Sequence, residues 1–182
     1  MPTFPLPFKP KYDYHTGGRK FGADRAGGSR KHGGCDLIAP SGTKIYAVED
    51  GTVVRGPYAF YHGTDAIEFK LKSSGGIVRY GEIKEAAPGI KTGVFVKEGE
   101  WIATVGQMTK SSMLHFELYA GSAHGSLTQG GNKPYMRRKD IIDPAPYLDS
   151  CKLWNVLHVP SATSFFPSFI DSIKGVLPTR WM

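Results

Sequence analysis

Short runs in which every second residue is apolar recur along the chain, and turn-forming residues separate nearly all of them. In 112–119, Leu114, Phe116 and Leu118 alternate with Met113, His115 and Glu117, the two-residue period that sends neighbouring side chains to opposite faces of a strand. Similar runs rich in Val, Ile, Tyr and Phe predict strands at about 34–39, 43–48, 52–60, 65–72, 76–83, 93–97, 100–105 and 112–119. Between them stand Ala39-Pro40-Ser41-Gly42, Glu49-Asp50-Gly51, Ser73-Ser74-Gly75-Gly76 and Lys97-Glu98-Gly99-Glu100, which supply the backbone conformations a chain reversal needs. No strand–helix–strand alternation appears, which argues against a doubly wound nucleotide-binding fold. The expectation is an all-β protein, a small antiparallel sheet or open-barrel-like sandwich with long loops.

Outside the strands the pattern changes. Pro2, Pro5, Pro7 and Pro10 oppose both helix and central strand, so residues 1–20 read as an extended, proline-rich arm. From Ala120 to Asp140 the chain turns to Gly, Ser, Asn and basic residues, a long surface loop of the kind that often carries function. Asp143-Pro144-Ala145-Pro146-Tyr147-Leu148 closes a domain spanning 21–150. In the tail, 151–182, Phe166, Phe169, Ile170, Ile173, Val176 and Leu177 fall at helical spacing behind Ser164 and Pro167, predicting a short amphipathic helix. Its apolar stripe would either dock on the domain or meet a partner or membrane.

Length and composition narrow this further. A chain of 182 residues with 40% hydrophobic and 21% charged positions can build one ordinary core but not two. The net charge of +7 favours an anionic partner, yet the basic residues are scattered and no nucleic-acid-binding motif accompanies them. Cys35 and Cys151 lack the paired spacing of a cysteine zinc site and are expected as buried thiols, with a disulfide open to them only in an oxidising compartment. The N-terminal stretch is broken by prolines and lacks the form of a secretory signal, and no apolar run would span a bilayer.

Two short motifs carry candidate chemistry. In His32-Gly33-Gly34-Cys35-Asp36 an imidazole and a carboxylate stand four positions apart, both suitable zinc donors. His115 shares a strand face with Met113 and Glu117, and a third donor from this strand would complete the three protein ligands usual for a catalytic zinc. Glu117 would either orient His115 or lie on an exposed face. His62 and His124 would either reach such a site from loops or be solvated.

The order of these features resembles the lysostaphin-type (LytM-like) zinc endopeptidases, which cleave peptide cross-links in bacterial peptidoglycan. The resemblance covers roughly 20–150. It runs from Phe21-Gly22 through His32-Gly33-Gly34-Cys35-Asp36-Leu37, Gly42-Thr43-Lys44-Ile45-Tyr46-Ala47 and Asp50-Gly51-Thr52-Val53-Val54. It continues with Tyr80, Val96-Lys97-Glu98-Gly99-Glu100-Trp101-Ile102, Val105-Gly106, Leu114-His115-Phe116-Glu117 and Asp143-Pro144 with Tyr147-Leu148. It implies a small antiparallel β domain with a groove in which His32, Asp36 and His115 hold Zn2+.

The chain also departs from that pattern. The family usually has assisting histidines at the positions held here by Met113 and Glu82. Met113 cannot move a proton, but a glutamate beside a metal site is the general-base arrangement of other zinc peptidases. Glu82 is therefore expected as the base. Tyr80, two residues earlier, is expected on the same strand face, where it would either stabilise an oxyanion or simply pack.

The function implied is a zinc endopeptidase acting on peptidoglycan peptides. The Arg-Tyr-Gly-Glu and Ser-Met-Leu-His-Phe-Glu stretches also resemble those of exported bacterial effectors. Made without a signal peptide, such a protein would reach the periplasm or cell wall by a specialised route and would have an inhibitor (immunity) or secretion-machinery partner. Loss of both assisting histidines leaves an alternative, a zinc-bound but inactive wall-binding or regulatory module.

Overall fold

The computed structural model describes residues 1–121 and 125–153, so the tail helix expected within 164–177 lies outside the described residues. The described chain forms β1 (Asp24–Arg25), β2 (Arg30–Lys31), β3 (Cys35–Ile38), β4 (Lys44–Tyr46), β5 (Gly51–Ala59), β6 (Asp65–Leu71), β7 (Ile77–Ala86), β8 (Phe95–Val96), β9 (Trp101–Val105), β10 (Met113–Tyr119), β11 (Ile141–Ile142) and α1 (Ala145–Ser150). The expected strands all form. Sequence patterning missed β1, β2 and β11, which are two residues long and too short to show a period.

Every paired strand is antiparallel, as expected of an all-β chain. The main sheet runs β11-β10-β7-β6-β5-β8, with β3 also on β10 and with β9 joining β7 to β4. β7 is the hinge of this architecture. Through Gly81 it pairs with β10, and from Ile83 onward it pairs with β9 instead. The change of partner falls at Glu82.

Alternation along the strands sorts side chains into two faces. Leu37, Val53, Ile67, Phe69, Tyr80 and Phe116 enter one continuous core with Ile45 and Ile102. The arm completes it. Phe4 and Leu6 are fully buried there, held by the Thr3 N–H donating to the Val48 carbonyl at 2.7 Å and the Tyr46 N–H donating to the Pro5 carbonyl at 2.9 Å. The segment closing the domain is a helix, α1, with Pro146 in its first turn, where a missing N–H costs nothing, and with Leu148 buried. The other faces of β10, β7 and β6 carry His115, Glu117, Arg79 and Glu68, and they line or underlie a cleft.

Candidate metal centre

β3 and β10 are antiparallel neighbours with Asp36 directly opposite His115 in the register, so their side chains rise from the same face. His32 is delivered by the segment just before β3. That approach requires Gly34, where a Cβ would stand 2.5 Å from the Phe116 carbonyl oxygen and 3.0 Å from the His115 ring. The glycine of the motif lets the backbone carrying the first histidine pass against the strand carrying the second.

The three donors converge. His115 Nδ1 lies 2.8 Å from Asp36 Oδ1, His32 Nε2 lies 3.1 Å from the same oxygen, and the two ring nitrogens are 3.2 Å apart. Donors held at about 2.0–2.1 Å around a tetrahedral zinc stand about 3.3 Å from one another, so the group matches such an ion closely. The rings are oriented for it as well. His32 Nδ1 is 2.9 Å from the Lys20 carbonyl and His115 Nε2 is 2.9 Å from Glu117 Oε1. Both outer nitrogens therefore serve as N–H donors, which makes the inner nitrogens, once deprotonated, the ones that would face a metal.

Electrostatics reinforce the arrangement. Burial alone would raise Asp36, but hydrogen bonds from His115 and His32 outweigh it and hold the carboxyl well below its usual range. Burial disfavours the His115 cation, yet Asp36 and Glu117 on either side raise its pKa to about 10 in the metal-free protein. Arg25 also reaches Asp36, with Nη2 3.2 Å from Oδ2. Glu117 is fully buried, which removes the exposed-face alternative. Besides His115 it meets Arg137 Nε at 2.8 Å, Arg79 Nη1 at 3.0 Å and the Tyr119 hydroxyl at 2.5 Å.

Glu82 and Tyr80 do not share a face. β6 pairs Ala66 with Gly81 and Asp65 with Ile83, so Glu82 is an extra residue on β7. Its φ of +61° is a left-handed conformation that costs a non-glycine residue about 1–3 kcal/mol. This bulge breaks the two-residue alternation and turns Glu82 to the cleft, while Tyr80 remains in the core. The Tyr80 hydroxyl accepts the Val48 N–H at 3.1 Å, and Tyr80 is fully buried and does not line the cleft. The oxyanion role is thus closed to it. Glu82 is buried, and its Oε2 has no hydrogen-bond partner among the described residues. Burial, chiefly, pushes its pKa up to about 7.

The cleft has a volume of about 900 Å³, and His32, Asp36, His115 and Glu82 line it together with Met113 and His62. His124 lies outside the described residues. Arg25, Arg79 and Arg137 were missed by sequence reasoning, because their partners Asp36 and Glu117 stand elsewhere along the chain and no local pattern links them.

The family model for peptidase family M23 matches residues 30–127, just over half of the chain, including all three donors and Glu82. The chain belongs to peptidase family M23. Among curated proteins, the peptidoglycan DD-endopeptidase ShyC of Vibrio cholerae is 31% identical over 97 residues, which make up 52% of this chain and 22% of that protein. The chain thus spans less than a quarter of that relative. Among solved structures, LytU aligns with a TM-score of 0.58 at 25% identity, over 78% of this chain and 92% of that one. The catalytic domain of lysostaphin from Staphylococcus simulans gives 0.56 at 23% identity, over 72% and 90%, a likeness of fold. In this M23 domain no helix among the described residues is long and apolar enough to cross a membrane.

Proposed function

We propose that this M23 domain is a zinc-dependent endopeptidase that hydrolyses peptide cross-links of bacterial peptidoglycan. The observation that carries the proposal is the convergence of His32, Asp36 and His115 in one open cleft with the buried, unpartnered oxygen of Glu82. The substrate class is supported by family membership and by the similarity to ShyC, a peptidoglycan DD-endopeptidase.

His32, Asp36 and His115 would hold the metal. Zinc bound there supplies Lewis acidity, polarising the scissile carbonyl and acidifying nearby water. Glu82 accepts the proton of the attacking water and returns it to the departing amine. A carboxyl with a pKa of about 7 is suited to both directions of transfer near neutrality. Glu117 holds the His115 ring in place, and the strained backbone at Glu82 fixes the base in the cleft instead of the core.

One observation favours a second reading, an inactive metal-bearing module: Met113 lines the cleft where a second proton-transfer group would be useful. Incubating the zinc-loaded protein with cross-linked peptidoglycan and separating the released peptides decides between them. The endopeptidase generates new peptide termini, and these disappear after chelation and return with added zinc. Intact cross-links after prolonged incubation would leave only the module.

A further inference from the structure

Across the floor of the cleft, charged residues of alternating sign stand directly opposite one another on four adjacent strands. In the registers, Glu117 of β10 faces Arg79 of β7, Arg79 faces Glu68 of β6, and Glu68 faces Arg55 of β5. The side chains connect in the same order. Arg79 Nη1 lies 3.0 Å from Glu117 Oε2, Arg79 Nη2 lies 3.4 Å from Glu68 Oε1, and Arg55 Nη1 lies 3.7 Å from that same oxygen. Tyr58 donates its hydroxyl to Glu68 Oε1 at 2.6 Å, and Arg79 Nη1 also reaches Thr128 Oγ1 at 3.2 Å.

Arg79, Glu68 and Glu117 are all buried. Taking such ions out of water is costly, and an apolar face of similar volume commonly stabilises a fold as well or better. The charges therefore call for an explanation beyond stability. It lies at the end of the row, where Glu117 Oε1 receives His115 Nε2 at 2.9 Å.

We propose that Arg79, braced by Glu68, is a positioning residue that acts through Glu117 to aim His115 Nδ1 at the metal. The guanidinium is a planar fork. One tine is committed to Glu117 Oε2 and the other to Glu68, so Arg79 cannot rotate without losing a partner. With Oε2 pinned by Arg79 and by the Tyr119 hydroxyl, the plane of the Glu117 carboxylate is fixed, and Oε1 stays directed at the His115 ring. Arg137 Nε shares Oε1 at 2.8 Å. The cleft lining thereby couples residues on β5 and β6, none of them a metal donor, to the geometry of a donor on β10.

The proposal rests on the zinc site proposed above, and the test separates the two. Zinc affinity is measured by chelator competition on the full chain for wild type, Arg79→Met, Arg79→Lys, Glu117→Gln and the Arg79→Met/Glu117→Gln double variant, with the unfolding temperature of each metal-free protein recorded alongside. Outer partners of zinc-bound histidines are typically worth about 10–100-fold in affinity, and Arg79→Met should weaken zinc by about tenfold or more. Lysine restores a charge but not the fork, so Arg79→Lys should recover only part of the loss. In the Glu117→Gln background Arg79→Met should cost almost nothing further, because its route to His115 is already cut. A purely structural Arg79 would lower the unfolding temperature and leave zinc affinity unchanged, or would give fully additive losses, and either result overturns the proposal. Should Arg79→Met fail to fold, Glu68→Gln decides: a severalfold loss of zinc affinity supports the row, and unchanged affinity overturns it. Wild-type protein that takes up no zinc would sink the metal site itself.

Discussion

The two faces of β10, β7 and β6 both bury their central side chains, yet they are built on opposite chemistries. On one face Phe116, Tyr80 and Phe69 interlock in the core, and on the other Glu117, Arg79 and Glu68 form a charged row, with Glu117 and Phe116 both at 0% exposure. Burial therefore does not distinguish structure from function in this molecule. The difference lies in what each buried group requires. An apolar ring needs a matching shape, which many neighbours supply together, whereas a buried carboxylate needs particular donors in particular directions. Substitutions should separate accordingly, with metal affinity and rate lost on the cleft face and stability lost on the core face.

The sharpest break in that comparison should come from His115→Ala. With one of three donors gone, metal analysis after desalting should find below about a tenth of an equivalent of zinc, and cell-wall hydrolysis should fall to background. A variant retaining a full equivalent would show that the three converging side chains are not the binding site.

Next in size is Glu82→Gln, which keeps the shape of the side chain and removes the proposed base. General-base assistance is typically worth about a hundredfold to ten-thousandfold, so peptide release should slow by at least about a hundredfold while zinc stoichiometry stays at wild type. Equal rates would move the proton transfer elsewhere, with His62 on the cleft wall the first residue to examine.

Smaller and graded is the pH dependence of metal binding. In the metal-free protein His115 holds its proton up to about pH 10, because Asp36 and Glu117 outweigh the effect of burial. Zinc needs the lone pair of Nδ1, so it must displace that proton. Apparent affinity should therefore fall as pH falls, by about tenfold per unit for each proton displaced. Calorimetric titrations in buffers of different ionisation enthalpy should report at least one proton released per zinc bound near neutrality. An affinity that did not change with pH would contradict the arrangement of His115 between two carboxylates.

What the sequence made legible follows from what each feature depends on. The long strands and the facing of His115 and Phe116 depend only on the chain's own two-residue period, and that period is plain in 112–119. Arg79 and Glu117 were harder, because their meaning lies in partners across the sheet and no local pattern links residues so far apart in sequence. The arm's burial of Phe4 and Leu6 was hidden for the same reason, since prolines announce extension but not what the extended chain lies against. Glu82 shows the limit most clearly. Alternation put it beside Tyr80, and only the inserted residue on β7, where the strand trades β10 for β9, turns it into the cleft.

That displaced pair also supplies the smallest expected effect on catalysis, and a direct check on which face Tyr80 serves. Tyr80 has no exposure, its ring packs edge-on against Phe116 with centroids 5.6 Å apart, and its hydroxyl accepts the Val48 N–H at 3.1 Å. Tyr80→Phe keeps the ring and removes that acceptor, leaving a buried backbone N–H unpaired, which typically costs about 1–3 kcal/mol. For a chain of this size the unfolding temperature should drop by about 2–4 °C for each kcal/mol lost. Hydrolysis of peptidoglycan peptides and zinc affinity should match wild type at temperatures where both proteins are folded, because nothing in the cleft touches the hydroxyl. A hundredfold slower Tyr80→Phe enzyme with an unchanged unfolding temperature would mean that Tyr80 reaches the reacting atoms after all, and that the two faces of β7 are less separate than the bulge at Glu82 makes them.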